Sequence, residues 1–186
     1  MLLSSSAAVY TGTEAESHAE AEALMPPRGA YGQAKLAMEQ MARQWARGRA
    51  TSRLTLLRMA NVIGADSLFA NLRPGAEVQL DRFASGGGPK RSYLAVDDFA
   101  HVIEHLATCA DAALPEVLNV AGEKALAMSE LVERGGGSVA WRTAPPTALE
   151  RVELDTTLLK SLVGSLPASS DPTRAIESWQ RTRVQA

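Results

Sequence analysis

The sequence has little that would indicate a secreted, membrane-bound or nucleic-acid-binding protein. Cys109 is its only cysteine, so no internal disulfide can form, which is typical of the reducing cytoplasm. The formal net charge is −2, so no excess of positive charge favours nucleic acid or an anionic membrane. No apolar run approaches the roughly 20 residues of a transmembrane helix. Residues 1–3 lack the basic segment of a signal peptide, and serines end their apolar run. These absences predict a cytoplasmic protein that binds neither nucleic acid nor membrane.

The length and composition suit a single α/β domain. The chain has 186 residues, of which 46% are hydrophobic and 22% charged, enough for one packed core. Strand-like segments at 2–5, 54–59 and 116–120 alternate with helix-like segments at 29–49 and 97–110. Strands that alternate with helices predict a parallel sheet with helices on both faces.

The remaining segments have weaker patterns. Residues 68–83 predict a short helix and a loop, and residues 139–142 and 151–154 predict short strands. Asp97 is expected to cap the helix that follows it.

One helix carries an apolar stripe. On the predicted helix at 29–49, six residues share a face: Tyr31, Ala34, Met38, Met41, Ala42 and Trp45. Such a stripe belongs either to the core or to a contact between subunits.

Three residues near the start of the chain form a set suited to proton transfer. Ser6 ends a serine run after the first strand, and Tyr31 and Lys35 lie one helical turn apart on one face. An unperturbed phenol titrates near ~10, too high for a general base at neutral pH, and a neighbouring ammonium favours the phenolate. A hydroxyl from a separate segment can hydrogen-bond the substrate oxygen. The set therefore suffices for acid–base catalysis, whereas a hydride transfer beside it needs a nicotinamide.

Four ordered motifs resemble the NAD-dependent epimerase/dehydratase proteins of the extended short-chain dehydrogenase/reductase superfamily. The first is the serine run followed by Tyr31 and Lys35 in a Tyr-x-x-x-Lys pattern. The second, LLRMANVIG at 56–64, is similar to the family's LRxxNxxG strand. The third, RSYLAVDDFA at 91–100, is similar to RDxxHVxDxA, and the fourth, VLNVAG at 117–122, to the strand xxNvgxG. The motifs cover most of residues 1–130.

The resemblance implies a fold and a division of the chain. The fold would be the C-terminal half of a doubly wound, Rossmann-type parallel sheet with helices on both faces, plus a small C-terminal substrate-binding portion. Within a single domain of residues 1–186, residues 1–64 and 91–122 would form the Rossmann-type core. Residues 65–90 and 123–186 would form the substrate-binding portion.

The resemblance also implies an NAD(P)-dependent oxidoreductase or epimerase/dehydratase. Tyr31 would be the catalytic acid/base, Lys35 would activate it and contact the cofactor ribose, and Ser6 would anchor the substrate. Relatives often dimerise by packing the helix at 29–49, so the resemblance implies a homodimer.

Three further residues receive binding roles by the same resemblance. Asn61 would face a sugar-like or other hydroxy/keto substrate, and Arg91 would meet a substrate phosphate. The backbone at Ala60 would lie beside the nicotinamide of NAD or NADP.

The chain departs from the family pattern in several places. Thr11 stands where the family has glycine, and Ala95 where it often has histidine. The stretch between Asn61 and Arg91 is short for an enzyme that binds a nucleotide sugar. The glycine-rich turn for the cofactor pyrophosphate would belong to strands upstream of Met1. We therefore expect a fragment, a misplaced start or a degenerate remnant of a longer enzyme.

Two alternatives belong to other functional classes. The first is a non-catalytic binding protein of this fold, which the missing glycine-rich turn favours. The second is a zinc hydrolase, since His101, Glu104 and His105 fit the His-x-x-Glu-His pattern. That site needs another ligand from a separate segment, and the sequence identifies none.

Overall fold

The structure is a computed structural model that describes residues 1–11, 17–21, 25–49, 53–109 and 114–184. Its strands are β1 Leu2–Ser6, β2 Ser17–His18, β3 Thr55–Met59, β4 Asn61–Val62, β5 Glu77–Arg82, β6 Lys90–Arg91, β7 Tyr93–Leu94, β8 Val117–Val120, β9 Leu126–Ala127, β10 Ser138–Thr143 and β11 Arg151–Leu154. Its α-helices are α1 Ala30–Arg47, α2 Ser67–Asn71, α3 Val96–Thr108, α4 Met128–Arg134, α5 Thr157–Val163 and α6 Pro172–Val184, and a single 3₁₀ turn spans Ala7–Tyr10.

A parallel sheet in the order β1-β3-β8 organises the first part of the fold. Leu2 of β1 lies opposite Thr55 of β3, and Leu56 of β3 lies opposite Val117 of β8. The carboxyl ends of parallel strands meet at one edge of a sheet. Ser6, Met59 and Val120 therefore end their strands on the same side, where β4 and β7 continue as a second parallel pair.

Helices cover both faces of this sheet because neighbouring residues of a strand point to opposite faces. Leu57 of β3 joins an apolar cluster with Val102 of α3 and Leu159 of α5. The next residue, Arg58, points to the other face and contacts α1 through Glu39. The fold is thus the parallel sheet with helices on both faces that the alternating pattern predicts.

A second apolar cluster lies beyond the carboxyl edge of the sheet. It contains residues of α2, β5, α4 and α6, including Phe69, Leu80, Leu131 and Trp179. Gly64 closes the LLRMANVIG motif at a φ of +88°, and a Cβ there would lie 2.7 Å from the Trp179 ring. Glycine is therefore required both for this backbone conformation and for the contact with α6.

Three local predictions need correction. Residues 68–83 contain the strand β5 paired with β10, because register with a distant strand overrides a weak local pattern. Asp97 lies inside the first turn of α3, whose N-cap is Ala95 and has no side-chain cap. The α1 stripe is not core, since Tyr31, Met41 and Trp45 are exposed.

None of the helices in the described residues is both long and apolar enough to span a bilayer.

Candidate active site

Ser6 lies where β1 turns into the 3₁₀ turn. Its backbone is extended, and its Oγ accepts a hydrogen bond from the Ala8 N–H at 3.2 Å, so it caps the turn. A serine hydroxyl has one proton to donate and a second lone pair. The Ser6 hydroxyl can therefore donate to a further oxygen at the carboxyl edge of the sheet.

Tyr31 is brought to this turn by its neighbour, Gly32. A Cβ at Gly32 would lie 2.5 Å from the Ala8 carbonyl oxygen and 2.8 Å from Pro27 Cβ, so only glycine permits the approach. The first turn of α1 consequently packs directly on the turn that Ser6 caps. The Tyr31 side chain is 62% exposed, which leaves its hydroxyl accessible.

A cleft of about 240 Å³ lies beside these two residues. Ser6, Tyr31, Asn61 and Arg91 all line it, together with Ala7, Ala8, Thr11, Ser92 and Val152. Four residues that sequence analysis assigns to catalysis or substrate binding are thus brought to one cavity from β1, α1, β4 and β6.

Lys35 and Ala60 lie next to the cleft without lining it. The Lys35 Nζ donates to the Ser4 carbonyl oxygen at 3.2 Å and lies 5.8 Å from the centroid of the Tyr31 ring. Ala60 is buried between β3 and β4, and its N–H donates to the Val120 carbonyl at 2.9 Å. The Lys35 ammonium is therefore a neighbour of the Tyr31 ring and is tethered to β1.

Arg91 supplies positive charge to the cleft. Its guanidinium donates to the backbone carbonyls of Lys90, Leu149 and Glu150 at 2.7–3.0 Å. No salt bridge to Arg91 occurs among the described residues. Burial lowers the pKa of Arg91, but a guanidinium stays protonated in proteins. The side chain is thus a fixed cation whose hydrogen-bond partners are neutral carbonyls, with Asp81 as a nearby negative charge, and it can receive an anionic ligand group.

Asn61 has buried polar neighbours. It pairs with Tyr93 across β4 and β7, and the Tyr93 phenol interacts electrostatically with the Asn61 side chain and with Asp66. Burial raises the pKa of the Tyr93 phenol and of the Asp66 carboxyl. Asp66 also caps α2 by accepting from the Phe69 N–H at 3.0 Å.

Sequence analysis did not predict the network of buried charged and polar side chains next to the cleft. Arg58 Nε and Nη2 donate to the two carboxylate oxygens of Glu39 at 3.0 and 2.9 Å. Ser5 Oγ donates to Glu39 Oε1 at 2.6 Å, and Arg58 Nη1 donates to the Tyr10 hydroxyl at 2.8 Å. Tyr10 in turn donates to Asn119 Oδ1 at 2.8 Å.

Two signals in the sequence point toward this network. Arg58 interrupts an otherwise apolar strand, and Lys35, Glu39 and Arg43 follow one another at the four-residue spacing that places side chains on one helical face. Together they indicate a charged helix face opposite a charged strand position.

The zinc alternative lacks a ligand set in the described residues, where no group of three metal-ligating side chains occurs. His101 Nε2 instead lies 3.2 Å from the Val163 carbonyl oxygen, which ties α3 to the end of α5.

Comparison with known proteins gives a family match. The model of the NAD dependent epimerase/dehydratase family matches residues 1–121. No curated protein matches the chain significantly.

Several solved structures share the fold. An NAD-dependent NDP-hexosamine 5,6-dehydratase of tunicamycin biosynthesis, TunA, is 22% identical, with a TM-score of 0.74 over 97% of this chain and 63% of that one. The UDP-Glc/GlcNAc 4-epimerase of Campylobacter jejuni is 18% identical, with a TM-score of 0.73 over 100% and 64%. The UDP-glucuronic acid 4-epimerase of Bacillus cereus, solved with UDP-glucuronic acid and NAD, is 14% identical, with a TM-score of 0.77 over 99% and 61%. The chain spans less than two thirds of the length of these structures.

Proposed function

Because this chain belongs to the NAD dependent epimerase/dehydratase family, we propose that it is the proton-transfer and substrate-binding part of an NAD(P)-dependent epimerase, dehydratase or related oxidoreductase. The observation that carries the proposal is the single cleft lined by Ser6, Tyr31, Asn61 and Arg91. A hydroxyl, a phenol, an amide and a cation around about 240 Å³ suit a small polar, anionic substrate.

The residues take distinct roles in this proposal. Tyr31 exchanges a proton with a substrate hydroxyl or keto oxygen, and Ser6 donates a hydrogen bond to the same oxygen. The Lys35 ammonium, 5.8 Å from the centre of the Tyr31 ring, stabilises negative charge on the phenol oxygen. Its tether to the Ser4 carbonyl keeps it on the Tyr31 side of β1.

The substrate is proposed to be a hydroxy or keto sugar that carries an anionic group. Arg91 meets that group, because its guanidinium is partnered by backbone carbonyls and retains its full charge. Asn61 hydrogen-bonds a hydroxyl of the sugar. The three structural relatives described above have names that refer to nucleotide hexoses, which supports this class.

The chain's residues fit one part of a dinucleotide. Tyr31, Lys35 and the backbone at Ala60 would hold the nicotinamide ribose of NAD or NADP, since Lys35 lies beside Tyr31 at the cleft and Ala60 follows β3 at its carboxyl end. When bound, the nicotinamide accepts and returns the hydride. The sequence contains no Gly-x-x-Gly-x-x-Gly turn for the pyrophosphate.

A homodimer through α1 is proposed as well. The exposed residues of this helix up to Trp45 are all uncharged and include Ala34, Ala37, Gln40, Met41 and Gln44. Because the face has no charge that would require an opposite charge on its partner, it can pair with a second copy of itself across a two-fold axis.

A variant series tests the catalytic proposal. The chain is mixed with millimolar NAD⁺ or NADP⁺ and with UDP-glucose, UDP-N-acetylglucosamine or UDP-glucuronic acid, and products are separated by anion-exchange chromatography. Tyr31→Phe should lower turnover by ~10²–10⁴-fold. It should leave thermal stability unchanged, because the side chain is 62% exposed.

Two further variants complete the series. Ser6→Ala should lower turnover less, since water or a neighbouring serine can replace its hydrogen bond. Thr108→Val, which removes a hydroxyl at the far end of α3, is the matched control and should retain activity. Turnover that is measurable in the wild type and equal in Tyr31→Phe would show that Tyr31 has no proton-transfer role. Sugar binding without any turnover would favour the non-catalytic alternative.

A further inference from the structure

The guanidinium of Arg58 contacts both of the segments that carry the proposed catalytic residues. Arg58 belongs to β3, is 2% exposed, and is the largest of the fully buried side chains. Two of its nitrogens bind the Glu39 carboxylate, and the third donates to the Tyr10 hydroxyl at 2.8 Å. Glu39 belongs to α1 and Tyr10 to the 3₁₀ turn.

On the α1 side, the ion pair supplements a small apolar contact. Of the 18 residues of α1, only Gly32 and Glu39 are buried, and Leu36 packs partly buried against the apolar cluster that includes Tyr10 and Ala60. Apolar side chains normally set the rotation of a helix on a sheet, and here a buried carboxylate shares that role with Leu36. Lys35 lies one turn before Glu39, so a rotation or shift of α1 would move its ammonium away from the Ser4 carbonyl.

On the other side, Arg58 holds the turn that Ser6 caps. The guanidinium carbon lies 4.8 Å from the centroid of the Tyr10 ring, in addition to its hydrogen bond to the hydroxyl. Tyr10 is fully buried and donates onward to Asn119 of β8. The turn is therefore fixed to β3 and β8 at its end, four residues after Ser6.

We propose that Arg58 is a positioning residue, which sets the placement of Tyr31 and Lys35 on α1 relative to Ser6 on the turn. Arginine suits this role because its planar fork binds the carboxylate through two nitrogens and leaves a third for Tyr10. The effect of Arg58 on turnover rests on the proposed function, whereas its effect on the placement of α1 does not.

The test compares variants that separate positioning from stability. Arg58→Met alone leaves the Glu39 carboxylate buried without its cation, which destabilises the fold. The main variant is therefore the double substitution Arg58→Met and Glu39→Gln, in which residue 39 can still accept from Ser5. The matched control, Arg181→Met with Asp97→Asn, removes an ion pair between α6 and α3, and neither residue lines the cleft.

The readout is the NMR signal of the Lys35 side chain in protein labelled at the lysine ε-carbon. The chain has four lysines, so the Lys35→Arg variant identifies the Lys35 signal. The Tyr31→Leu variant then measures how much the Tyr31 ring changes the chemical shift of that signal. In the double variant we expect the Lys35 signal to lose most of the chemical-shift change caused by the Tyr31 ring, whereas the control variant keeps it. Turnover of the nucleotide sugars should fall about 10²-fold through kcat, with little change in KM.

Arg58→Lys is the second variant and decides the question if the double variant does not fold. It retains a cation for Glu39, but one ammonium cannot bind both carboxylate oxygens and the Tyr10 hydroxyl. A Lys35 signal that loses most of the chemical-shift change caused by the Tyr31 ring supports the proposal in this variant as well. A folded double variant, or a folded Arg58→Lys, with the wild-type Lys35 signal would overturn it. A wild-type chain that shows the Lys35 signal but no turnover would contradict the proposed function alone.

Discussion

At the scale of single residues, the candidate site combines exposed groups with buried ones that support them. Tyr31 is 62% exposed and free to meet a substrate, whereas Arg58 and Glu39 below it are 2% and 0% exposed. A buried charge is tolerated only when it is paired and hydrogen-bonded. Glu39 meets this condition with three donors within 3.0 Å, two from Arg58 and one from Ser5.

The ionisation of Glu39 leads to a pH prediction. Burial opposes the charged form, but hydrogen bonds from Arg58 and Ser5 outweigh it and hold the pKa of Glu39 below its usual value. A depressed carboxyl pKa stabilises the fold above the unfolded-state value, ~4.3, and this stability is lost as pH falls through the folded-state value. We expect the free energy of unfolding to decrease on acidification below ~4.3.

Urea denaturation between pH 3 and 7 measures this effect. Glu39→Gln removes the titrating group, so its free energy of unfolding should depend on pH less steeply, by up to ~1.4 kcal/mol per pH unit. The variant is less stable at every pH, and only the slope is compared. Parallel pH profiles for wild type and variant would contradict the assignment.

Gly32 provides a prediction with a control in the same segment. Gly32→Ala places a Cβ 2.5 Å from the Ala8 carbonyl oxygen, so α1 must move away from the Ser6 turn. Overpacking of this kind costs ~1–3 kcal/mol, although alanine is the better helix former. Gly29→Ala, where nothing lies within 4 Å, should cost less than Gly32→Ala, only the ~0.5–1 kcal/mol by which alanine is the poorer N-cap residue. Chemical denaturation of both variants gives the comparison, and equal stabilities would show that the contact is not tight.

At the scale of elements, α1 has an unusual distribution of charge. Lys35, Glu39 and Arg43 point toward the sheet, where they bind Ser4, Arg58 and Glu116. The outer face is uncharged up to Trp45 and includes Met41, which is 70% exposed. An exposed, uncharged outer face of this kind is typical of a helix that packs against a second protein surface.

The proposed homodimer is tested on that face. Met41→Glu and Trp45→Glu introduce charges that would be buried against the second copy, so each should convert a dimer to a monomer. Gln180→Glu, on an exposed position of α6, is the matched control and should not change the mass. Size-exclusion chromatography with light scattering measures the mass. A wild-type chain that is monomeric at all concentrations would contradict the proposed homodimer.

At the scale of the whole molecule, the chain spans less than two thirds of the length of its structural relatives. The alignments include 97–100% of this chain but only 61–64% of the length of its structural relatives. In the described residues, β1 and β8 each pair with β3 alone, so they are the two edge strands of the three-stranded sheet. Lys35, proposed to hold the nicotinamide ribose, donates to Ser4 of the edge strand β1.

Cofactor affinity is the prediction that belongs to this scale. Without a glycine-rich turn, the pyrophosphate has no array of backbone N–H groups to bind. We expect the 186-residue chain to bind NAD(H) and NADP(H) with a Kd above about 1 mM, a binding free energy weaker than about −4 kcal/mol. Isothermal titration calorimetry measures it, and Lys35→Met should weaken it further. Micromolar binding would show that other residues of this chain hold the pyrophosphate.

The sequence by itself determined the family and the type of the elements around the β1-β3-β8 sheet, whereas β5 lies in a segment predicted as helix and loop. The parallel sheet, the helix at α1 and the helix at α3 follow from local periodicity, and the motifs around Ser6, Tyr31 and Asn61 are short, contiguous patterns.

Only the tertiary structure decided which distant residues meet. Glu39 binds Arg58 nineteen residues away, and Tyr10 binds Asn119 across 109 residues. The strand β5 forms because β10 pairs with it, and the apolar stripe of α1 faces outward because its charged side matches Arg58. Periodicity shows that a helix has two faces, but which face turns inward depends on the free energy of contacts with the strands it packs on.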